Sequence, residues 1–571
     1  MKAELIISGG RLVNVYTEEI LEGYSVVVAG GKIVHVGRDF EDYLDDSTTL
    51  ISAETKVIVP GFIDAHTHVD YLAPLSEYIR YLLPQGTTTI VTELAGTGNC
   101  AGYEALFHLI STFANMPARV FALAPLMIPP NPRLEYGRHI SLDLIACLLE
   151  KREILGIGET YWPHVLSGDS FLNAAFEIAL NKGKIIEGHS AGARGNKLSA
   201  YTAAGVTACH ESITAEEALE RLRLGLYVMV RGGSNRNDMG LLKELIKKQA
   251  NLRRLILVTD GLTPKDLLAG KGMASVVQEA INLGLGPLKA FQAVSLNAAE
   301  RFGLDHWLGG LAPGHAADIL ILPSLTKVEP ELVICRGQIV AKNGEMLVDV
   351  PNLEFPKELY PAVSISGKRY SKEDFRLTNP GGAKRLRVIS LNTDFLTSEE
   401  QIDIDAVGYR DGNVLAEPAK DILKVALISR YVHDQKVLGL LHGFGLQRGA
   451  CGTSVTWDTG NLLVIGSNEE DMARAINRLL ELGGGIVFLQ EGHVLGELSL
   501  PLGGLLCNRS MKEVAVGIAR VENMLRENGC SRESPFLSLQ TLTFTPLPSL
   551  RITDKGIADV RSGEVKSVFV E

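Results

Sequence analysis

Between residues 60 and 307 the chain repeats one pattern eight times, a short β-rich run followed by a helical one. The β runs fall at 62–66, 88–92, 120–124, 154–159, 184–189, 206–210, 226–230 and 255–260. Amphipathic stretches such as LSEYIRYLLPQG, SLDLIACLLEKRE and TAEEALERLRLG separate them. The last opens on Thr214 with Glu217 three residues on, which predicts a helix start closed by a capping box. Eight strand–helix units over about 250 residues have the count and length of a (β/α)8 barrel of the TIM type. That α/β architecture is the expectation for 60–307.

The flanks of this stretch have another texture. Residues 1–59 and 308–365 alternate short β runs with Gly-rich turns, as in LIISGGRLVNV and ELVICRGQIVAKNG. They are expected to join into one small antiparallel unit, a β-sandwich domain built from both ends. A polar stretch at 366–384 leads into 385–571, where β runs and helices mix over a length able to fold alone as a C-terminal α+β domain. The net charge of -11 is spread without a basic block, which argues against nucleic acid as a partner. Seven scattered cysteines without a C-x-x-C pair read as reduced thiols. The N-terminal segment lacks the apolar core of a signal peptide, and no apolar run approaches a membrane span. A cytoplasmic protein acting on a small molecule, with no membrane partner, is the expectation. Homo-oligomer formation is compatible with a barrel of this size.

In such a barrel, catalytic groups project from the C-terminal ends of the strands. Metal-ligand residue types stand at five of those ends. The first strand closes on His66-Thr67-His68, whose period-2 spacing turns both imidazoles to one side. The fourth ends in Glu159, the fifth in His189, the sixth in His210 and the eighth in Asp260. Any one of these alone is more often a satisfied polar group than a ligand. Together at one rim, four histidines and two carboxylates match the donor set of a divalent metal pair. Such a pair activates water at neutral pH and polarises the bond under attack. No G-x-S-x-G elbow or H-x-E…P-C-x-x-C signature is present, and GGSNRNDMG lacks the lysine of a phosphate loop. His315, in the turn APGHAAD, reads as structural, and His164 and His442 have no assigned partner.

The segment PGFIDAHTHVD resembles the first-strand motif of the amidohydrolase superfamily, and LAPGHAADILIL its closing β segment. More narrowly, EGHSAGARGNKLSAYTAAGVTACHES, LVTDGLTPKDLL, GFGLQRGACGTSV and NEEDMARAINRLLELGGGIV are similar to segments of bacterial adenine deaminases, a likeness covering most of the chain. The resemblance implies His66, His68 and Asp260 on one metal and His189 and His210 on the other, with Glu159 bridging. It favours Mn or Fe and is compatible with Zn. It implies a purine-like base as substrate, adenine and water giving hypoxanthine and ammonia. Asp260, Glu159 and His210 would carry catalysis, Asp260 moving the proton from water towards the leaving amine. On the same ground Asp70, Glu93, Arg231 and Ser234 are candidates to touch the substrate.

The chain also departs from that family. Val69-Asp70-Tyr71 follows His68 where the family reads I-E-S, and Glu93-Leu94-Ala95-Gly96 stands for D-P-H-E. Gly261-Leu262-Thr263-Pro264 follows the strand-eight Asp where the family has D-R-H-P. Thr456-Trp457-Asp458-Thr459-Gly460-Asn461 replaces A-H-D-S-H-N. A pocket with altered polar partners shifts preference or rate. Two alternatives therefore stand beside adenine deamination. One is another amidohydrolase reaction: cyclic-amide hydrolysis, deacetylation or deamination of a different purine or pterin. The other is a metal-binding relative with little turnover.

Overall fold

Each of the eight expected β runs forms a strand in a computed structural model, which describes residues 2–234, 236–364 and 368–570. They are β1 (Phe62–His68), β2 (Thr87–Glu93), β3 (Arg119–Ala124), β4 (Ile154–Tyr161), β5 (Ile185–His189), β6 (Ala208–Cys209), β7 (Tyr227–Arg231) and β8 (Leu255–Val258). Strands β1 to β5 pair in order into one parallel arc, and β6 to β8 into a second. Among the described residues, one backbone–backbone hydrogen bond spans each gap: Thr207 N–H donates to the Ile186 carbonyl at 3.4 Å, and Asp260 N–H to the His66 carbonyl at 3.0 Å. Ile63, Val91, Leu123, Leu155, Ala208, Met229 and Ile256, drawn from seven of the eight strands, form one buried cluster inside the ring. Strands buried on both faces need no polar alternation, which is why β8 reads simply as LILV. β6 is far shorter than the run that predicted it, and His210 lies just beyond its end.

The capping box at Thr214 is half formed. The Thr214 hydroxyl accepts the Glu217 N–H at 3.3 Å. The Glu217 carboxylate turns outward instead, to Arg194 at 2.6 Å and to the Ile213 N–H at 3.0 Å. The carboxylate thus takes the charge-assisted bond from Arg194 and the N–H one residue before the cap, in place of the Thr214 N–H.

Both flanks of the barrel enter one nine-stranded sheet, because Val57–Pro60 pairs with Leu5–Asn14 on one side and with Ile319–Leu322 on the other. The first of those pairings is parallel, as is that of Thr49–Ser52, so the sheet is mixed and not wholly antiparallel. The boundary expected at 365 and the first residues of the polar stretch at 366 lie outside the described residues. Beyond them a second nine-stranded sheet is built around Ile422–Ile428. Its helix Glu469–Leu482 starts where the Asn468 side chain accepts the Asp471 N–H and stops at Gly483, whose φ is 74°. Met472, Ala475, Ile476 and Leu479 recur at helical spacing and are buried against the sheet. Among the described residues no helix is long and apolar enough to cross a membrane.

This C-terminal region sits over the loops that follow the barrel strands. Leu72 N–H donates to the Leu505 carbonyl at 2.9 Å, Asn99 Nδ2 to the Asp458 carbonyl at 2.7 Å, and Tyr136 N–H to Asp554 Oδ1 at 2.9 Å. Glu135 is buried in the same seam, where Oε1 accepts the Asn131 N–H and the Thr545 hydroxyl, each at 2.7 Å.

Burial pushes the Glu135 carboxyl from its ordinary 4.5 up to about 8. Folding therefore takes up a proton between those two values, and stability falls as pH rises through that window. Glu135→Gln carries no such proton. Its stability relative to the natural chain, read from urea unfolding, is expected to increase steadily between the ordinary 4.5 and about 8 on the pH scale. A difference independent of pH would contradict this account.

Candidate metal centre

Glu159 sits near the end of β4 with imidazoles around both of its oxygens. Oε1 lies 3.2 Å from His66 Nε2, 3.6 Å from His68 Nε2 and 3.3 Å from His210 Nε2. Oε2 lies 3.1 Å from His189 Nδ1. Asp260 Oδ1 completes the group at 3.3 Å from His66 and 3.5 Å from His68. All six residues expected at the rim thus meet at one point of the barrel mouth. Asp260 reaches it in the left-handed region, φ 52°, a conformation that Asp tolerates better than most residues.

Two overlapping sets of donors have the spacing of cation sites: His66, Glu159, His210 and Asp260, and beside them His189, His210 and Glu211. His66 Nε2 and His189 Nε2 are buried and make no hydrogen bond, although carboxylate oxygens stand 3.2 Å and 3.9 Å away. Lone pairs that face carboxylates without a shared proton suit a cation between them, so the residues present fit a metal pair. Glu211 was not anticipated. It directly follows His210 at a strand end, and that position was the available signal.

Arg231, at the end of β7, balances these acids. Its guanidinium pairs with Glu211, with Asp238 at 2.7 Å and with Asp260 Oδ2 at 3.3 Å. Burial alone would raise Asp260, but the His66 and His68 rings that face it and the Arg231 charge hold it well below the carboxylate range. Burial and the nearby His66 bring His210 down to about 3, leaving it neutral. Burial opposes charge on His66 and His68 as well, yet Asp260 and Glu159 hold both well above the ordinary imidazole value.

A cavity of about 330 Å³ opens over this cluster. Its barrel wall includes Asp70, and its other wall comes from the C-terminal region, through Val455, Trp457, Asp458, Leu505 and Phe544. The expectations for substrate contact divide here. Asp70 lines the cavity and accepts the Thr97 N–H at 2.9 Å. Arg231 lines it too, but its donors are committed to three carboxylates. Glu93 lies behind Glu159, whose N–H it accepts at 3.2 Å, and is 3% exposed. Burial and the Glu159 charge push it up to about 8. Ser234 stands outside the cavity lining, where its hydroxyl accepts the Thr263 N–H at 2.9 Å and braces the loop after β8. The altered segment 456–461 thus lies at the cavity, while Val455, Leu505 and Phe544 carried no local signal, because docking of distant segments leaves no local pattern.

Residues 57–340 match the model of the amidohydrolase family, and residues 395–564 match that of the adenine deaminase C-terminal domain. The chain is 36% identical to an adenine deaminase of Moorella thermoacetica over 98% of its own length and 94% of that relative's. It is 34% identical to an adenine deaminase of Clostridium botulinum, covering 100% of this chain and 96% of the other. With one of Cenarchaeum symbiosum the identity is 32%, over 98% and 92% of the two lengths.

One buried hydroxyl ties two of the rim positions together. Tyr201 is fully buried; its hydroxyl accepts the His189 N–H at 3.0 Å and donates to the Thr160 carbonyl, where the β4–β5 pairing shifts register. Tyr201→Phe leaves that N–H without a partner. The expected cost in urea unfolding is about 1–3 kcal/mol. Affinity for Mn is expected to fall about 10–100-fold, as when a group supporting a ligand is removed. Unchanged cation affinity would show that the hydroxyl does not position His189.

Proposed function

Because this chain belongs to the adenine deaminase family, we propose that it hydrolyses adenine to hypoxanthine and ammonia at the centre described above. The observation that carries the reading is the convergence of His66, His68, Glu159, His189, His210 and Asp260 beneath a cavity. His66, His68 and Asp260 would hold one divalent cation, His189 and His210 the other, and Glu159 both, with Glu211 a further donor beside the second. A manganese, iron or zinc pair bound there would activate water and polarise the carbon under attack.

The side chains supply the rest. Asp260, ionised and pinned through its second oxygen by Arg231, takes a proton from the attacking water and delivers it to the amino group leaving C6. Adenine and water are consumed, and hypoxanthine and ammonia are released. A positioned acid–base group contributes about 10²–10⁴-fold. Trp457 and Phe544 cover the cavity from the C-terminal side and keep bulk water from the reacting carbon. Seven unpaired cysteines suit a reducing compartment, and we place this purine chemistry in the cytoplasm.

Ammonia release from adenine, followed with Mn-, Fe(II)- and Zn-loaded protein, tests the reading. Turnover is expected with at least one metal and is expected to be lost on chelation. Asp260→Asn is expected to lower kcat by about 10²–10⁴-fold. Release no faster than in buffer under all three metals would remove adenine as the substrate.

A further inference from the structure

Resting on that reading, we propose that Asp458 accepts the ring N–H of the heterocycle against a wall of Trp457 and Phe544, and is the residue through which the cavity tells a free base from one substituted at that nitrogen. The segment carrying Asp458 is rigid. Thr456 Oγ1 donates to the Asn461 carbonyl at 3.0 Å, Trp457 N–H to the Gln540 carbonyl at 3.2 Å, and Asn99 Nδ2 to the Asp458 carbonyl at 2.7 Å. The Asp458 carboxylate itself lines the cavity, and among the described residues no hydrogen bond or ion pair reaches it. Its neighbours on that wall are apolar: Val455, Leu505 and Phe544. A ligand that fills the cavity strips water from this carboxylate, which is tolerable only if the ligand offers a donor.

The same wall favours a flat ligand. The Trp457 and Phe544 rings meet edge to face, with centroids 5.6 Å apart at 87°. Such a fixed aromatic pair gives a planar heterocycle an apolar surface to lie on. Orientation follows from the two walls. The amino-bearing carbon must face Glu159 and Asp260 on the barrel side. Asp458, arriving from the opposite side, then meets the edge remote from that carbon. In adenine that edge carries the imidazole N–H, the nitrogen to which a nucleoside attaches its sugar. Substitution there removes the donor and brings bulk against the carboxylate.

The test compares kcat/KM for adenine and for 9-methyladenine, with metal content measured in every sample. The natural chain is expected to prefer adenine by about 10²-fold or more, the scale of a lost hydrogen bond to a buried charge. Asp458→Ala is expected to lower adenine turnover by about 10²-fold while leaving 9-methyladenine within about threefold, with metal content unchanged. Asp458→Asn keeps an acceptor and is expected to retain more of the preference than alanine. Equal loss on both substrates, or no preference in the natural chain, would overturn the assignment. If Asp458→Ala does not fold, the natural chain and Asp458→Asn decide. If neither base is turned over, the deaminase reading fails by itself. Quenching of tryptophan fluorescence by adenine but not by 9-methyladenine would still support Asp458, and equal quenching would refute it.

Discussion

Four imidazoles converge on the two oxygens of Glu159, and that concentration of donors sets the requirements for everything around it. Glu93, Glu159, Glu211 and Asp260 all lie within or against the cluster, and buried acids in such density need positive charge nearby. Arg231 supplies one charge, shared among Glu211, Asp238 and Asp260. The upward pull on His66 and His68, against their burial, expresses the same demand. A pair of divalent cations would meet it without spending the imidazole lone pairs on protons. Glu93 escapes the demand by another route: its raised value leaves it neutral at the back of the site, where it receives the Glu159 N–H.

The barrel provides charge, and the C-terminal region provides the surface that shields it. Trp457, Leu505 and Phe544 turn an open rim into a cavity, and electrostatic interactions strengthen where water is excluded. The shield is attached at several independent points, among them the Leu72–Leu505 backbone bond and the Asn99 side chain. A base held between these two walls faces charge on one side and aromatic surface on the other. Asp458 is the exception on the apolar wall, and its lack of a protein partner is what makes it informative about the ligand.

The convergence of these six residues was legible because each sits at the terminus of an apolar run, where a parallel barrel places its working side chains. His66 and His68 needed only the two-residue period, and Glu159, His189 and Asp260 only their strand ends. His210 was found through a run of which just Ala208–Cys209 forms a strand, so the apolar signal exceeded the paired segment. Glu211 escaped notice because a carboxylate after a histidine is ordinary in sequence, and only its 3.5 Å approach to His210 Nε2 gives it a place. Arg231 and Glu93 lie in the expected neighbourhood, with partners that the sequence did not disclose. One is committed to acids and the other lies beneath the rim, distinctions that depend on side-chain direction and not on position along a strand. The mixed character of the flanking sheet was equally hidden, since Val57–Pro60 reads the same whether its partner runs with it or against it.

Closure of the barrel and assembly of the site are the same event at one seam. The ladder between β8 and β1 is interrupted, and side chains replace it: Thr259 N–H donates to Asp64 Oδ1 at 3.1 Å, and the Thr259 hydroxyl to Asp64 Oδ2 at 2.5 Å. The next residue, Asp260, turns left-handed, and its N–H closes onto the His66 carbonyl at 3.0 Å. Its short side chain has little freedom beyond that fixed backbone, so the distance from its carboxylate to the His66 ring is set by the hydrogen bond that joins the last strand to the first. Gly261 follows with φ 98°, permitting the second consecutive positive torsion that a side chain would resist. Asp260 is therefore placed by the backbone path at the point where the ring closes, and the histidine beside it is placed by the other half of the same closure.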